Sequence, residues 1–96
     1  MTAYAIGLLT IHNDNWLEED SSKILPLIEK HGGNRLVKGT PERLEGTSNL
    51  PTIAFCIAFP SSAAAHNWYN DPENKPLITL RNSGSTLDML LVENPA

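Results

Sequence analysis

Three histidines, His12, His31 and His66, are the side chains of this sequence that titrate nearest neutral pH, and each could move a proton if a partner stood beside it. None has a second histidine at metal-ligand spacing. The single cysteine, Cys56, excludes an internal disulfide and a multi-cysteine metal centre. A glycine-rich phosphate loop is lacking, and Ser61-Ser62 has no histidine and aspartate in a recognisable nucleophile motif. No cofactor and no metal are therefore expected. What remains is a set of polar side chains able to hold a small molecule. Tyr4, Thr10 and His12 share one side of an early strand, and Tyr69 has a hydroxyl to present to a pocket. Arg81 could meet an anion. Each also has a plainer use, such as a strand-end histidine touching solvent or a surface or dimer-rim arginine.

These residues are positioned by a chain organised around Pro51–Pro60, PTIAFCIAFP, an apolar run bracketed by proline. Strand periodicity places Ile53, Phe55, Ile57 and Phe59 on one face and Thr52, Ala54, Cys56 and Ala58 on the other. The bulky face calls for a roof of helices, each buried Ile or Phe contributing ~1.5–3 kcal/mol. The small face admits a second backbone or a ligand at close range.

At 96 residues, 41% hydrophobic and 19% charged, the composition is that of one ordinary globular domain spanning residues 1–96. A net charge of −4 with seven scattered basic residues argues against a nucleic-acid partner. No apolar run approaches the ~20 residues of a membrane helix, and Ala5–Ile11 is too short and unflanked for a signal peptide. The expectation is a cytoplasmic protein with neither nucleic acid nor membrane as partner.

In chain order, Tyr4–His12 reads as a strand with Ala5, Gly7, Leu9 and Ile11 on one face and Tyr4, Ile6, Leu8, Thr10 and His12 on the other. Asn15 and Glu18 have the spacing of a capping box before a helix whose stripe is Trp16, Leu17, Ile24, Leu27 and Ile28. Pro26 should kink or restart that helix. His31 should be a capping cation, and Gly32 the left-handed cap. Asn34–Gly39 is a second strand, with Asn34, Leu36 and Lys38 on one face and Arg35 and Val37 on the other. A polar connection with a strand extension near Leu44 leads to the organising strand. Ser61 caps a second helix carrying Trp68 toward the core. Asp71-Pro72 breaks it and starts a further helical stretch containing Glu73, Leu77, Ile78, Leu80 and Arg81, and Leu87–Glu93 is the last strand. The order is strand, helix, strand, strand, helix, strand. That is an α+β, ferredoxin-like fold: a four-stranded antiparallel sheet with its helices on one face.

The face without helices measures on the order of 300 Å², and Tyr4, Ile6, Leu8, Ala54, Cys56 and Ala58 would all meet water there. A two-fold homodimer stacked sheet on sheet, enclosing a cavity, is the expected solution.

The pieces YAIG, HGGN-RLVKG, LEG at Leu44–Gly46 and FPS at Phe59–Ser61 come in one order along the chain. They are followed by AAAHNWYNDPE, PLITLR and LDMLLVE. This ordered set resembles the family called domain of unknown function 1330, of the dimeric α+β barrel superfamily. The resemblance implies the same fold and a sheet-on-sheet dimer, and it implies no particular activity. Lys38 and Glu45 match family positions flanking the second strand and its loop, where they could form an ion pair or bind a carboxylate, a structural salt bridge being the plainer use. Three positions depart from the family pattern: Lys38 stands where Arg is expected, Ala58 where an acid often precedes Phe-Pro, and Asn74 where Tyr is common. The expected function is small-metabolite binding in the inter-sheet cavity. The alternatives are a cofactor-independent isomerase or monooxygenase, and a purely structural dimer.

Overall fold

In the computed structural model, which describes residues 1–95, the chain runs β1 (Ala3–Ile11), α1 (Leu17–Lys30), β2 (Asn34–Gly39), β3 (Ile53–Phe59), α2 (Ser62–Tyr69), α3 (Asn74–Asn82) and β4 (Ser85–Glu93). The strands form one antiparallel sheet in the order β2-β3-β1-β4. This is the ferredoxin-like arrangement, with the helical half divided into two by Asp71-Pro72.

The two faces of β3 have separate fates. Ile57 and Phe59 are buried, and Phe55 packs partly buried against the same core. The roof over them comes from Leu27 and Ile28 of α1, Ala65 and Trp68 of α2, and Leu77 of α3. The Phe59 and Trp68 rings lie with centroids 5.3 Å apart and planes tilted by 33°. Gly7 makes room for this packing. Paired with Phe55 across the sheet, it leaves a space that a Cβ atom could not share with the Phe55 ring. On the opposite face no element among the described residues covers Ile6 (37% exposed), Leu8 (42%), Val37 (59%) or Leu90 (65%).

Several local expectations meet a different outcome. The register of β2 shifts between Arg35 and Val37, a bulge at Leu36. As a result Arg35 and Lys38 pair with Ile57 and Phe55 and share the helix-covered face, while Asn34 and Val37 pair with Ala58 and Cys56 on the open one. The expected pairing of Asn34 with Lys38 on one face is thereby corrected: one extra residue flips everything after it. The Asn15–Glu18 capping box does not form, since Trp16 occupies the cap and Asn13 Oδ1 accepts from the Asn15 amide instead. α1 stays continuous through the exposed Pro26. Around Leu44 there is no strand; residues 40–52 have neither helix nor strand, and Leu44 is 96% exposed.

The helix ends are joined by Asp71, buried between α2 and α3. Its Oδ1 accepts the Glu73 amide at 2.8 Å, which caps the turn into α3 as Asp-Pro leads one to expect. Its Oδ2 receives the His31 Nε2–H at 2.7 Å and Lys30 Nζ at 3.0 Å from the end of α1. His31 is therefore an anchor to another helix as well as the C-cap residue of its own, while Gly32 at φ 78° is the left-handed cap residue. Ser61 caps α2 by accepting the Ala64 amide.

Two predictions follow from these contacts. The His31 hydrogen bond foremost, then the Glu73 amide and Lys30, hold the Asp71 carboxyl far below the usual carboxylate range. A depressed native pKa stabilises above the unfolded value of ~3.9 and is lost as pH falls below it. Asp71→Asn should lower the melting temperature at pH 7 by several degrees and flatten the loss of stability below about pH 4, read by circular dichroism across pH. Gly7→Ala should cost ~1–3 kcal/mol through overpacking against Phe55, seen as a lower urea midpoint with an unchanged m-value.

Candidate functional site

Between the helix layer and the sheet lies a cavity of about 70 Å³. Its apolar wall is Leu9, Trp16, Ile24, Phe55, Ile57 and Trp68. Its polar members are Asp20 from α1, Arg35 and Lys38 from β2, and Arg81 from α3. Trp16 is held in place by its Nε1–H, which donates to the Asn13 carbonyl at 2.6 Å, and by Gly84, where a Cβ atom would sit 2.5 Å from the indole. The Gly84 carbonyl accepts the amides of His12 (2.8 Å) and Asn13 (3.1 Å), and so ties the start of α1 to the start of β4. Ser85 Oγ–H donates to the Arg81 carbonyl at 2.6 Å, which fixes the last turn of α3.

A second, wider hollow of about 430 Å³ runs along β4 beneath α2 and α3. His66 and Tyr69 supply polar side chains, and Leu87 and Met89 part of its floor; Asp88 and Leu90 of β4 border it although they alternate toward the open face. Trp68 and Arg81 line both spaces and stand between them.

The charges here are poised rather than paired. Burial pushes the Asp20 carboxyl above the ordinary carboxylate range, against the opposing pull of Arg81 and Lys38. Burial likewise lowers the Arg81 guanidinium, opposed by Asp20 and Tyr69; it remains a cation at neutral pH. Asp20 and Arg81 thus sense each other, yet no ion pair within 4.0 Å joins them among the described residues. Arg81 Nε and Trp68 Nε1 are buried without an acceptor. Three cations, Arg35, Lys38 and Arg81, face one carboxylate, in a chain whose net charge is −4.

The residues singled out by type and spacing do not converge on one place. Lys38 and Arg81 meet at the cavity; Arg81 is partly buried there rather than a rim residue. Tyr69 is 43% exposed in the neighbouring groove, its ring edge-on to Trp68 with centroids 6.2 Å apart. Tyr4 and Thr10 lie on the far side of the sheet, out of phase with the buried Ala3, Ala5 and Leu9, and His12 stands just past the end of β1. His12 Nε2 is hydrogen-bonded to Thr86 Oγ1 at 2.9 Å on that far side. Glu45 stands in the 40–52 connection, bordering a different hollow with Lys38 nowhere in it. Asp20 is the member that sequence reasoning missed. As one of three consecutive acids in the first turn it reads as a dipole partner, and only its turn inward beside Ile24 separates it from Glu18 and Glu19.

Solved structures share the fold at low identity. A protein of unknown function from Rhodopseudomonas palustris, RPA0582, is 18% identical with a TM-score of 0.75, the match covering 98% of this chain and 84% of that one. SnoaB, a cofactor-independent oxygenase from Streptomyces nogalater, is 12% identical with a TM-score of 0.69 over 99% and 94% of the two chains. A dimeric ferredoxin-like protein of unknown function from Jannaschia sp. CCS1 is 10% identical with a TM-score of 0.67, covering 98% of this chain and all of that one (100%). No curated protein matches the sequence. The family model for a domain of unknown function, DUF1330, matches residues 2–95. With nearly its whole length accounted for by that model, the chain belongs to the DUF1330 family.

Proposed function

We propose that this protein is a homodimer that binds a small, negatively charged metabolite. In this proposal Arg81 and Trp68 receive the ligand's acceptor group at the junction of cavity and groove. The supporting observation is the pair of buried donors, Arg81 Nε and Trp68 Nε1, without acceptors on the two residues that both spaces share. A buried donor left unsatisfied costs about 1–3 kcal/mol, so a carboxylate or phenolate there would relieve two penalties and answer the excess of positive charge. The cavity alone is small for a metabolite; cavity and groove together reach the range usual for ligand sites, roughly 300–1,000 Å³. Lys38 and Arg35 serve as the electrostatic rim, and Tyr69 borders the ligand's exposed end.

The homodimer accounts for the open face of the sheet, where Tyr4, Ile6, Leu8, Val37, Cys56 and Leu90 would be covered by a second copy. The Jannaschia structure, described as dimeric with the same fold, supports it. A second arrangement, with the ligand held between two stacked sheets, has one observation behind it. The His12–Thr86 hydrogen bond, with Thr10 and Asp88 nearby in register, makes one end of that face polar. A cytoplasmic setting belongs to the same proposal and agrees with a free thiol at Cys56. Catalysis is no part of it, because the likeness to an oxygenase is one of fold.

The test is thermal unfolding with isobutyrate, benzoate and phenylacetate against their neutral amides. A carboxylate at a hundred times its Kd should stabilise by about 2.7 kcal/mol, with the matching amide well below it. Arg81→Met, which keeps the stem and removes charge and donors, should weaken carboxylate binding at least tenfold. Equal responses to acid and amide, or an unchanged response in Arg81→Met, would overturn the Arg81 site. A carboxylate response lost in His12→Ala but kept in Arg81→Met would move the ligand between the sheets.

A further inference from the structure

The open face of the sheet falls short of a standard dimer interface by itself. Strands of nine, six, seven and nine residues, at ~3.3 Å per residue and ~4.8 Å spacing, offer on the order of 500 Å², whereas a standard interface buries about 800 Å² on each partner. The remainder must be surface continuous with that face, apolar, and not already used by the chain's own core. Within the polar 40–52 connection, Pro41, Leu44, Leu50 and Pro51 meet all three conditions. Leu8 of the open face lines one hollow together with Pro41, Leu44, Leu50 and Pro51 of this connection. Leu44 is the most exposed large apolar side chain of the described residues at 96%, and Leu50 is half exposed. The connection has a shape of its own: the Arg43 guanidinium donates to the Ser48 carbonyl, and Gly46 takes φ 111° between them. Such a turn holds Leu44 outward, where burial within its own chain contributes nothing.

We propose that Leu44 is an anchor for a second copy of this chain, each copy's 40–52 connection closing over the rim of the other's sheet. The inference rests on the sheet-face homodimer proposed above and adds to it the segment that completes the interface. The flanking Glu42, Arg43 and Glu45 suit a polar rim around an apolar contact. Leu44 makes a clean probe, because at 96% exposure its replacement removes almost no contact within the folded chain.

Sedimentation equilibrium of the full chain, the Leu44→Ser variant and the Leu8→Asp variant tests this, with circular dichroism confirming that each is folded. The full chain should be dimeric at micromolar concentration. Leu44→Ser should raise the dimer dissociation constant on the order of tenfold for each of the two anchors, about a hundredfold in total. Leu8→Asp, which puts a charge on the sheet face, should dissociate the dimer as well. Dissociation by Leu8→Asp with Leu44→Ser within about twofold of the full chain would overturn the anchor and leave the sheet-face dimer standing; the exposed leucine would then serve another partner. A monomeric full chain, or a dimer indifferent to Leu8→Asp, would overturn the sheet-face dimer and the anchor with it.

Discussion

A four-stranded sheet has two faces, and this chain has helices for one of them. The bulky side of β3 decides which. Phe59 (1% exposed) and Ile57 (3%) need a roof, and Trp68 (4%) with Ile28 and Leu77 supplies it. Each such side chain is worth ~1.5–3 kcal/mol on burial, more than any surface ion pair in the chain could return. The helices are therefore committed to that side, and the other keeps Ile6, Leu8, Val37 and Leu90 uncovered. The cavity follows from the same packing. Trp16 and Trp68 are too large and too rigid to close every gap between three helices and a twisted sheet, and the gap they leave is where Asp20, Lys38 and Arg81 come together.

Much of this was legible in residue types and spacing. Proline brackets and alternation marked β3, the run NRLVKG marked β2, Ser61 after Pro60 marked the start of α2, and Gly32 marked the end of α1. Those signals are local, and local chemistry decides them. The failures have one physical character. Whether Asn15 or Trp16 caps α1 depends on Gly84, nearly seventy residues away, accepting the amides of His12 and Asn13. Whether Lys38 faces helix or open side depends on one bulged residue, Leu36, which no hydrophobic pattern announces in a strand exposed along its whole length. His31 looked like a cap acting on its own helix, and it found Asp71, forty residues on, because the break between α2 and α3 was folded back against it.

The candidate site was harder to read than the fold for a related reason. Ligand sites gather side chains from different elements, and the parity of each strand and the phase of each helix must be right at once. An error at β2 alone moves Lys38 through the sheet. Asp20 could be told from Glu18 and Glu19 only by knowing which side of α1 meets Arg81. Charge composition misleads too: an overall net of −4 suggests indifference to anions, while three of the seven basic residues border one cavity.

A sheet one residue thick separates the two surfaces that matter. Successive side chains alternate sides, so most strand residues serve one surface or the other; Asp88 and Leu90 of the edge strand β4 border the groove while alternating toward the open face. Tyr4, Ile6 and Leu8 belong to the open side, Ala5, Gly7 and Leu9 to the roofed side, and Gly7 is the point of closest approach between them. Phe55, whose ring lies over Gly7, walls the cavity; the backbone beneath it carries Leu8, the residue that joins the open face to the 40–52 connection. The proposed ligand site and the proposed dimer face thus draw largely on separate side chains of a shared backbone. Gly7 beneath the Phe55 ring is one point where the backbone of the sheet lies directly between the cavity wall and the open face.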